Sequence, residues 1–405
     1  MLFKKIALFQ ILPILIASAI TYVVVGKFIK ANTINYSVSA KTIQQTRGID
    51  VFHIDNLNNQ IAFSIALKKS VPLLFGSSEL TSSHLDGLAG NFFNKNQKTD
   101  RFFSIGHAGF QSFAILTTLS ANKSLLKDSK ITIILSPGWF EKQYCKGTSL
   151  KSFFEFCPPN YLYQIYKDTS IDLKTKQYIQ NYIYINYDKI SKPDAVMRLM
   201  SKNHNPKFLN NIFNYPFVAL DNYEIKIQEA SDFYLTSQQL ILNELLNHSS
   251  YPYHFYNQNI NWDSLKIEAK QEFKKISNNN TIAVENSYYD SWLKNKPKKK
   301  LYAVEAKNNT EYNDFLALLH FLKANNCKPL FVIMPLNTKA HENLEVLAPT
   351  INAIKQELTS NNLKVLDLFS PNLINYEEGV LEDIMHPYNI GWYQIDKFIL
   401  DNYHD

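Results

Sequence analysis

The stretch Val71-Pro-Leu-Leu-Phe-Gly-Ser-Ser-Glu-Leu80 decides the fold. It opens with an apolar run of strand length, and this run stops at Gly76. Two hydroxyl residues and a carboxylate follow at once, and α/β folds present reactive side chains at this position, just beyond the carboxyl end of a strand. The stretch therefore predicts a strand that leads into a functional serine, either Ser77 or Ser78.

Further apolar runs of strand length recur along the chain and alternate with helical patterns. Strands that alternate with helices indicate a parallel sheet covered on both faces. We therefore predict an α/β fold with a flavodoxin-like parallel sheet of about five strands. The predicted strands are 71–75, 102–105, 131–135, 330–334 and 363–368, and the predicted helices are 52–69, 110–126, 312–324, 344–358 and 391–403.

A long interval, residues 140–300, breaks the alternation. It is rich in aromatic residues and mostly helical in pattern, for example at 237–247, so we interpret it as a helical insertion after the third strand. The predicted organisation is a cytoplasmic tip and membrane anchor at 1–30, a membrane-proximal linker and helical segment at 31–70, and an α/β domain at 71–405.

The N-terminus carries a membrane-spanning pattern. After Lys4 and Lys5, residues 6–25 contain no charge, and about twenty apolar residues are enough to cross a bilayer. Ala17-Ser-Ala19 resembles a leader-peptidase site, but the apolar run continues beyond it, which favours an uncleaved signal anchor. We expect a single-pass membrane protein. The lysines on both sides of the span leave its orientation open.

Composition narrows the class of protein. A hydrophobic content of 45% and an aromatic content of 14% exclude a disordered chain. The formal charge is +6, but arginine occurs only at Arg47, Arg101 and Arg198. So few guanidinium groups argue against a nucleic-acid reader, which needs bidentate donors for phosphates and bases. A diffuse basic surface that faces an anionic membrane or polymer fits the charge better.

The three cysteines, Cys145, Cys157 and Cys327, do not suggest a metal centre, because no CxxC pair or histidine-rich segment accompanies them. Cys145 and Cys157 either close a short disulfide loop or remain free thiols, and the sequence leaves both alternatives open. His341 lacks a second ligand at helical spacing. We therefore predict neither a metal ion nor a cofactor.

An acid and an imidazole lie three residues apart near the C-terminus, in Asp383-Ile-Met-His386. A serine hydroxyl becomes a good nucleophile when an imidazole takes its proton and a carboxylate orients that imidazole. A serine after the first of five strands, with Asp-x-x-His after the last, resembles the SGNH or GDSL hydrolase superfamily. In that pattern the nucleophile is the third residue of Gly-x-Ser, which is Ser78 here, and Ser77 is the competing choice.

Segments spread over nearly the whole chain carry a closer resemblance: they are the N-terminal anchor, Phe75-Gly-Ser-Ser-Glu-Leu80, Ile105-Gly-His-Ala-Gly-Phe-Gln-Ser112, Leu135-Ser-Pro-Gly-Trp-Phe140, Met334-Pro-Leu-Asn337, Asp383-Ile-Met-His-Pro387 and Gly391-Trp392. Together they resemble the DltD family of membrane-anchored proteins in teichoic acid D-alanylation. The resemblance implies an extracytoplasmic triad of Ser78, His386 and Asp383, and transfer of a D-alanyl group to an anionic polymer such as lipoteichoic acid. It also implies a DltB-like membrane-bound O-acyltransferase and a D-alanyl carrier pathway as partners.

Further residues complete the predicted site. We expect the backbone N–H groups of Ser78 and Gly109 to hold the oxyanion, with an ordinary turn glycine as the alternative for Gly109. Trp139 and Asn337 follow strands three and four and are predicted to line the acyl or acceptor pocket, although core packing is equally open for Trp139. The family often carries Gln where this chain has Gly138, which leaves only the backbone there as a donor.

Two neighbouring residues receive no catalytic role. Glu79 either caps the following helix or faces the site, and His107 is expected to be a surface-loop histidine. Two other functions remain open. One is an O-acetyl transferase or esterase of an envelope polysaccharide, and the other is a non-catalytic scaffold for a membrane-bound O-acyltransferase.

Overall fold

The computed structural model describes residues 11–31, 57–68, 71–95, 102–190, 260–372 and 376–403, with isolated helical positions between 197 and 231. The strands are β1 (Leu73–Phe75), β2 (Phe103–Ile105), β3 (Ile131–Leu135), β4 (Leu330–Ile333) and β5 (Val365–Asp367). The helices are α1 (Leu12–Ala31), α2 (Leu57–Lys68), α3 (Ala89–Lys95), α4 (Ser112–Ala121), α5 (Phe153–Phe156), α6 (Pro159–Lys167), α7 (Leu173–Asn186), α8 (Trp262–Ile276), α9 (Asn286–Tyr288), α10 (Thr310–Ala324), α11 (Ala348–Ser360) and α12 (Asn389–Tyr403).

The five strands form one parallel sheet in the order β2-β1-β3-β4-β5, which confirms the predicted fold class. Leu74 of β1 pairs with Ser104 on one side and with Thr132 on the other. The chain therefore winds in opposite directions from β1, which makes β1 the switch point of the sheet. In doubly wound folds the ligand site lies outside the carboxyl ends of the strands at such a point.

Alternate residues of each strand enter two separate cores, one on each face of the sheet. In β1, Leu73 and Phe75 belong to the larger core, whereas Leu74 belongs to the smaller one. Helices α2, α4, α6, α7, α10 and α11 cover the larger core. Helices α3, α8 and α12 cover the smaller core. Because both faces are covered, β1 and β4 consist of apolar residues without alternation.

The predicted insertion shares the larger core. Phe153 of α5, Leu162 of α6 and Ile179 of α7 are buried in it beside the residues of β3. Helices α5 to α7 are thus part of the same domain. The helix predicted at 237–247 lies outside the described residues.

The cysteines of this region are free thiols. Cys157 is fully buried, and its Sγ accepts a hydrogen bond from Thr117 Oγ1 at 3.4 Å. Burial raises the pKa of the Cys157 thiol to about 12. Cys145 and Cys157 are therefore free thiols in this structure and do not form the disulfide that the sequence left open as an alternative.

Two predicted helices are shorter than the patterns indicated. The prediction of one helix at 344–358 was wrong, because a 3₁₀ turn (Leu344–Leu347) precedes α11, and Pro349 lies in the first turn of α11. Proline lacks a backbone N–H, so it suits the first turn of a helix and interrupts a longer one. Helix α4 ends at Ala121 because Asn122 turns back on it, and the side chain of Asn122 donates to Thr118 O.

The predicted anchor corresponds to α1. This helix has 20 residues and a mean hydropathy of 2.0, and none of its apolar stretch is buried inside the protein. It is therefore a candidate membrane span or signal sequence. The predicted helix before β1 corresponds to α2, which begins at Leu57; the residues predicted before it lie outside the described part of the chain.

Two glycines allow the carboxyl ends of β1 and β2 to approach each other closely. Gly106 has a φ of +141°, and a Cβ at this position would lie 1.9 Å from the carbonyl oxygen of Gly76. The Gly76 N–H in turn donates to Ile105 O at 3.1 Å. The loop after β2 can therefore lie against the serine-bearing turn only if residue 106 has no side chain.

Replacing Gly106 tests this contact. We expect Gly106→Ala to lower the free energy of unfolding by about 3 kcal/mol or more, because the backbone must move and φ is strained. Gly138→Ala is the matched control, since its Cβ would meet only Ser136 Oγ at 3.5 Å, and it should cost less than about 1 kcal/mol. Urea unfolding measures both. Equal losses in the two variants would contradict the role of the close approach.

Candidate active site

Ser78, His386 and Asp383 form a continuous hydrogen-bonded chain at the carboxyl end of β1. Ser78 begins a 3₁₀ turn (Ser78–Thr81) that follows β1, and its Oγ lies 2.8 Å from His386 Nε2. On the other side of the ring, Nδ1 lies 2.6 Å from Asp383 Oδ2. In the neutral ring, Nδ1–H donates to Asp383, and Nε2 accepts the hydrogen bond of the serine hydroxyl. This is the arrangement in which an imidazole can remove the proton of a serine.

A tight turn brings Asp383 and His386 together. The other carboxylate oxygen of Asp383, Oδ1, accepts the backbone N–H groups of Met385 and His386, each at 2.7 Å. An isolated bridge between Leu381 and Pro387 closes the base of the turn. The carboxylate therefore organises its own loop, residues 381–387, and this geometry matches the prediction that the pair meets across one turn.

The hydrogen bonds outweigh the cost of burying this pair. Burial alone would raise the pKa of Asp383. The hydrogen bond and charge of His386 and the two backbone N–H groups lower this pKa by a larger amount, so the net shift is downward. For His386, burial lowers the pKa, but the hydrogen bond and charge of Asp383, followed by the charges of Glu79 and Glu382, raise it above its ordinary value. The site thus stabilises the cationic form of the imidazole.

The structure distinguishes the two serines. Ser77 is 3% exposed, and its Oγ donates to His107 O and accepts from Gly109 N, both at 3.1 Å. Its hydroxyl thus fastens the loop after β2 to the serine turn. Ser78 is partly exposed and is the serine whose Oγ contacts the imidazole.

The backbone N–H of Gly109, which was predicted to hold the oxyanion, is hydrogen-bonded to another residue in this structure. Gly109 is exposed and has a φ of +90°, but its N–H donates to Ser77 Oγ. The geometry therefore does not leave that N–H free for a substrate. Ser78 occupies the first position of its 3₁₀ turn, where a backbone N–H has no carbonyl partner within the turn. The amide of Ser78 is thus the better placed of the two predicted donors.

Asn337 contacts the Asp383 loop from the loop after β4. Its side chain is fully buried; Nδ2 donates to Ile282 O at 2.9 Å and lies 3.5 Å from Asp383 O, and Oδ1 accepts from the N–H groups of Lys339 and Ala340. Its backbone N–H donates to Ile384 O at 3.0 Å. The contacts with Asp383 O and Ile384 O brace the Asp383 loop, and the predicted contact of Asn337 with a substrate stays a prediction.

The turn after β3 contains Trp139 and Gly138. Trp139 is 7% exposed and packs in the larger core, so the core-packing alternative describes it. Gly138 is partly exposed, and a Cβ there would have room. A Cβ at this position would meet only Ser136 Oγ, at 3.5 Å.

The prediction that His107 is a surface-loop histidine was wrong. The side chain is buried at 7% exposure and stacks on Phe156 of α5, with 4.7 Å between ring centroids. The contact comes from the inserted segment, so no local pattern around His107 could reveal it.

The acidic surroundings of the imidazole were predicted only in part, because Glu79 was left between a helix cap and a place facing the site, and Glu382 was missed. Glu79 is 4% exposed, and Glu382 hydrogen bonds to Ser82 Oγ and forms an ion pair with His84 at 3.3 Å. Among the described residues, the group whose ligand atoms could hold a metal ion is His84, Glu285 and Glu382, all within 4.8 Å of one another. The adjacency of Glu382 to Asp383 was the available signal.

A family model described as DltD protein matches residues 51–404. The chain belongs to the DltD family. The match includes β1 to β5 and all three residues of the hydrogen-bonded chain. Family membership thus confirms the resemblance drawn from the sequence motifs.

Individual relatives in the family are distant. The chain is 26% identical over 351 residues to the protein DltD of Bacillus subtilis (strain 168), which covers 82% of this chain and 81% of the relative. It is 22% identical over 401 residues to the protein DltD of Staphylococcus aureus (strain NCTC 8325 / PS 47). That alignment covers 96% of this chain and 94% of the relative. Both alignments extend over most of the length of each DltD chain.

Replacing Asn337 tests whether it braces the Asp383 loop. We expect Asn337→Ala to lower the free energy of unfolding by about 2 to 4 kcal/mol, because two backbone N–H groups lose their shared acceptor. The control Asn279→Ala removes an exposed side chain and should cost less than about 0.5 kcal/mol. Denaturant titration measures both variants. A loss at Asn337 no larger than that of the control would remove the bracing role.

Proposed function

We propose that this chain is a serine-dependent acyltransferase or esterase that acts on D-alanyl esters through Ser78, His386 and Asp383. Membership in the DltD family assigns the chain to the D-alanylation of teichoic acid. The observation that carries the chemical proposal is the unbroken relay from Ser78 Oγ through His386 to Asp383, with contacts of 2.8 and 2.6 Å.

The relay supports a two-step transfer. His386 Nε2 takes the proton of Ser78 as Oγ attacks the ester carbonyl, and a C–O bond forms to give a tetrahedral oxyanion. The amide N–H of Ser78 would hold that oxyanion. Collapse breaks the bond to the donor, and His386 returns its proton to the leaving group. The result is a D-alanyl ester on Ser78.

The second step repeats this chemistry with the acceptor. A hydroxyl of the polymer gives its proton to His386 and attacks the ester on Ser78, and Ser78 Oγ leaves with the proton from His386. Water in place of the hydroxyl would give hydrolysis. Asp383 keeps the ring in the required tautomer and balances its charge in both steps.

The proposed setting is the outer face of the cell membrane. Helix α1 would anchor the chain, with the α/β domain on the extracytoplasmic side. A DltB-like membrane-bound O-acyltransferase would supply the D-alanyl group that a carrier pathway provides, and an anionic polymer such as lipoteichoic acid would accept it. The net charge of +6 suits an anionic acceptor and an anionic membrane surface.

Replacing Ser78 and Ser77 by alanine, one at a time, tests which of the two hydroxyls is the nucleophile. We expect Ser78→Ala to abolish covalent labelling by a fluorophosphonate probe and to reduce D-alanyl ester transfer or hydrolysis by about 10⁴-fold or more. Ser77→Ala is the matched control, and it should remain labelled because its hydroxyl only fastens the neighbouring loop. Intact-mass measurement and release of D-alanine are the readouts. Labelling that persists in Ser78→Ala would exclude Ser78 as the nucleophile.

The labelling rate should also depend on pH. The general base must be neutral, and the pKa of His386 lies above its ordinary value of 6.5, so the rate should rise with pH to a midpoint above 6.5. Asp383→Asn should move this midpoint to lower pH, because it removes the carboxylate that favours the cation, and should reduce the plateau rate by about 10⁴-fold. An unchanged midpoint in Asp383→Asn would contradict the relay.

A further inference from the structure

A basic surface that the proposed chemistry does not use follows α9. Residues 294–300 read Lys-Asn-Lys-Pro-Lys-Lys-Lys, which places five lysines within seven positions. Lys142 joins them from the turn after β3, because its backbone N–H donates to Tyr302 O at 3.0 Å. Two large aromatic side chains on this surface face water, since Trp292 is 63% exposed and Tyr302 is 54% exposed. The basic aromatic surface is defined as Lys142, Tyr144 and residues 292–302.

Hydrogen bonds hold this surface against the loop after β4. The backbone of Lys299 exchanges two hydrogen bonds with that loop, at 2.9 and 3.0 Å. Leu301 exchanges two more with the side chain of Asn343, both at 2.8 Å. Side chains alternate between two faces along an extended segment, and here Leu301 is buried while Lys300 and Tyr302 are exposed. The lysines are therefore displayed on a fixed backbone.

The ammonium groups of this surface gather over its aromatic rings. Lys142 Nζ and Lys300 Nζ lie 5.8 and 6.0 Å from the centre of the same ring, that of Tyr302. Lys299 Nζ lies 5.6 Å from the centre of the Tyr144 ring. Each ring face attracts its cation, but two cations at one ring repel each other. An anion that binds beside them relieves this repulsion.

Acidic side chains do little to balance these charges. Within the part of the chain that the structure describes, Lys294 forms an ion pair with Asp290 at 3.1 Å, whereas Lys142 and the other four lysines of the run form none. Clustered cations without acidic partners create a positive potential that attracts anions. The described residues thus leave five of these lysines available to an external polyanion.

Both ends of the surface are attached to the Asp383 loop. It begins in a π-helical turn (Tyr289–Leu293), and the helix before that turn is preceded by Glu285, whose backbone N–H donates to Glu382 O at 2.8 Å. The loop after β4, which holds the other end, contacts Ile384 O through the backbone N–H of Asn337 at 3.0 Å. The basic aromatic surface therefore borders the loop that carries two members of the relay.

We propose that the basic aromatic surface binds the acceptor polymer, a chain of phosphodiester-linked polyol or sugar units, and holds it beside the relay. This inference rests on the proposed function, because it names the surface that receives the anionic acceptor. Lysine ammonium groups would contact the phosphates as point charges. The exposed rings of Trp292 and Tyr302 would pack against the C–H groups of the units between the phosphates.

The layout of the charges favours a polymer. The lysines are spread along a segment and are not gathered into one pocket, so they match a row of phosphates better than a single free anion. Lysines and aromatic rings also suit a layer of anionic lipid headgroups. The attachment to the Asp383 loop favours the acceptor, because its hydroxyl has to reach Ser78.

Replacing Lys142, Lys299 and Lys300 together by glutamine in the full chain tests this surface. We expect the affinity for a glycerol phosphate oligomer, measured by calorimetry at low salt in a neutral detergent, to fall about tenfold or more. The affinity of the wild type should fall as salt rises, and this dependence should be weaker in the variant because fewer phosphates are bound. Arginine at the same three positions keeps the charge and should keep the affinity within about threefold.

A matched control removes the same charge from another part of the protein. Lys127, Lys328 and Lys364 are exposed and precede β3, β4 and β5, so they lie at the opposite edge of the sheet from the relay. Their joint replacement by glutamine should leave the affinity for the oligomer unchanged. A control variant that loses as much affinity as the test variant would overturn the inference, because the total charge would then account for binding.

Other outcomes would also decide the matter. An unchanged affinity for the oligomer in the test variant, with weaker binding only to phosphatidylglycerol vesicles, would overturn the inference in favour of a membrane contact. If the triple variant does not fold, Lys300→Gln alone should weaken oligomer binding about threefold, and an unchanged affinity would overturn the inference. The proposed function fails separately: a wild-type chain that a fluorophosphonate does not label at Ser78 would overturn that function, whatever the binding measurement gives.

Discussion

The hydrogen bond between Ser78 Oγ and His386 Nε2 joins residues 308 positions apart in the chain, and the arrangement of the fold keeps these two residues together. Parallel strands direct all their carboxyl ends to one edge of the sheet, so turns from distant parts of the sequence meet there. β1 lies between β2 and β3, where the winding direction changes, so the serine turn follows β1 at the switch point of the sheet. The loop with His386 comes after β5 and leads into α12.

Polar groups close to the relay are used mainly to hold it in position. The hydroxyl of Ser77 joins the loop after β2 to the serine turn, and the backbone N–H of Asn337 joins the loop after β4 to Ile384 of the Asp383 loop. A hydrogen bond in a buried setting is costly to leave unmade, so such groups fix loop positions more firmly than apolar contacts of the same size. Precise placement matters for catalysis, because small displacements of a nucleophile lower the rate strongly.

The five parallel strands, the two covered faces and the three members of the relay could be predicted from the sequence, because they depend on apolar periodicity and on local motifs. The uses of Gly109 and Asn337 could not, because they depend on which neighbouring group each N–H or amide meets after folding. His107 shows the same limit: its burial is due to Phe156, which the inserted helices bring from elsewhere in the chain. The free state of Cys157 likewise follows from its position beneath α4 beside Thr117.

The electrostatics of the site follow from an unequal distribution of hydrogen bonds among its acids. Burial raises the pKa of Asp383, Glu79 and Glu382 alike, but only for Asp383 do the hydrogen bonds, two backbone N–H groups and the imidazole, bring the net shift below the ordinary value. The lowered pKa of Asp383 favours its ionised form, and the charge of His386 opposes the rise in the pKa of Glu79 that burial causes. A buried charge is tolerated where partners surround it, so these acids stabilise a cation on His386. Because His386 takes up a proton when Ser78 gives one up, the acids that surround the imidazole also favour the deprotonated, reactive form of Ser78.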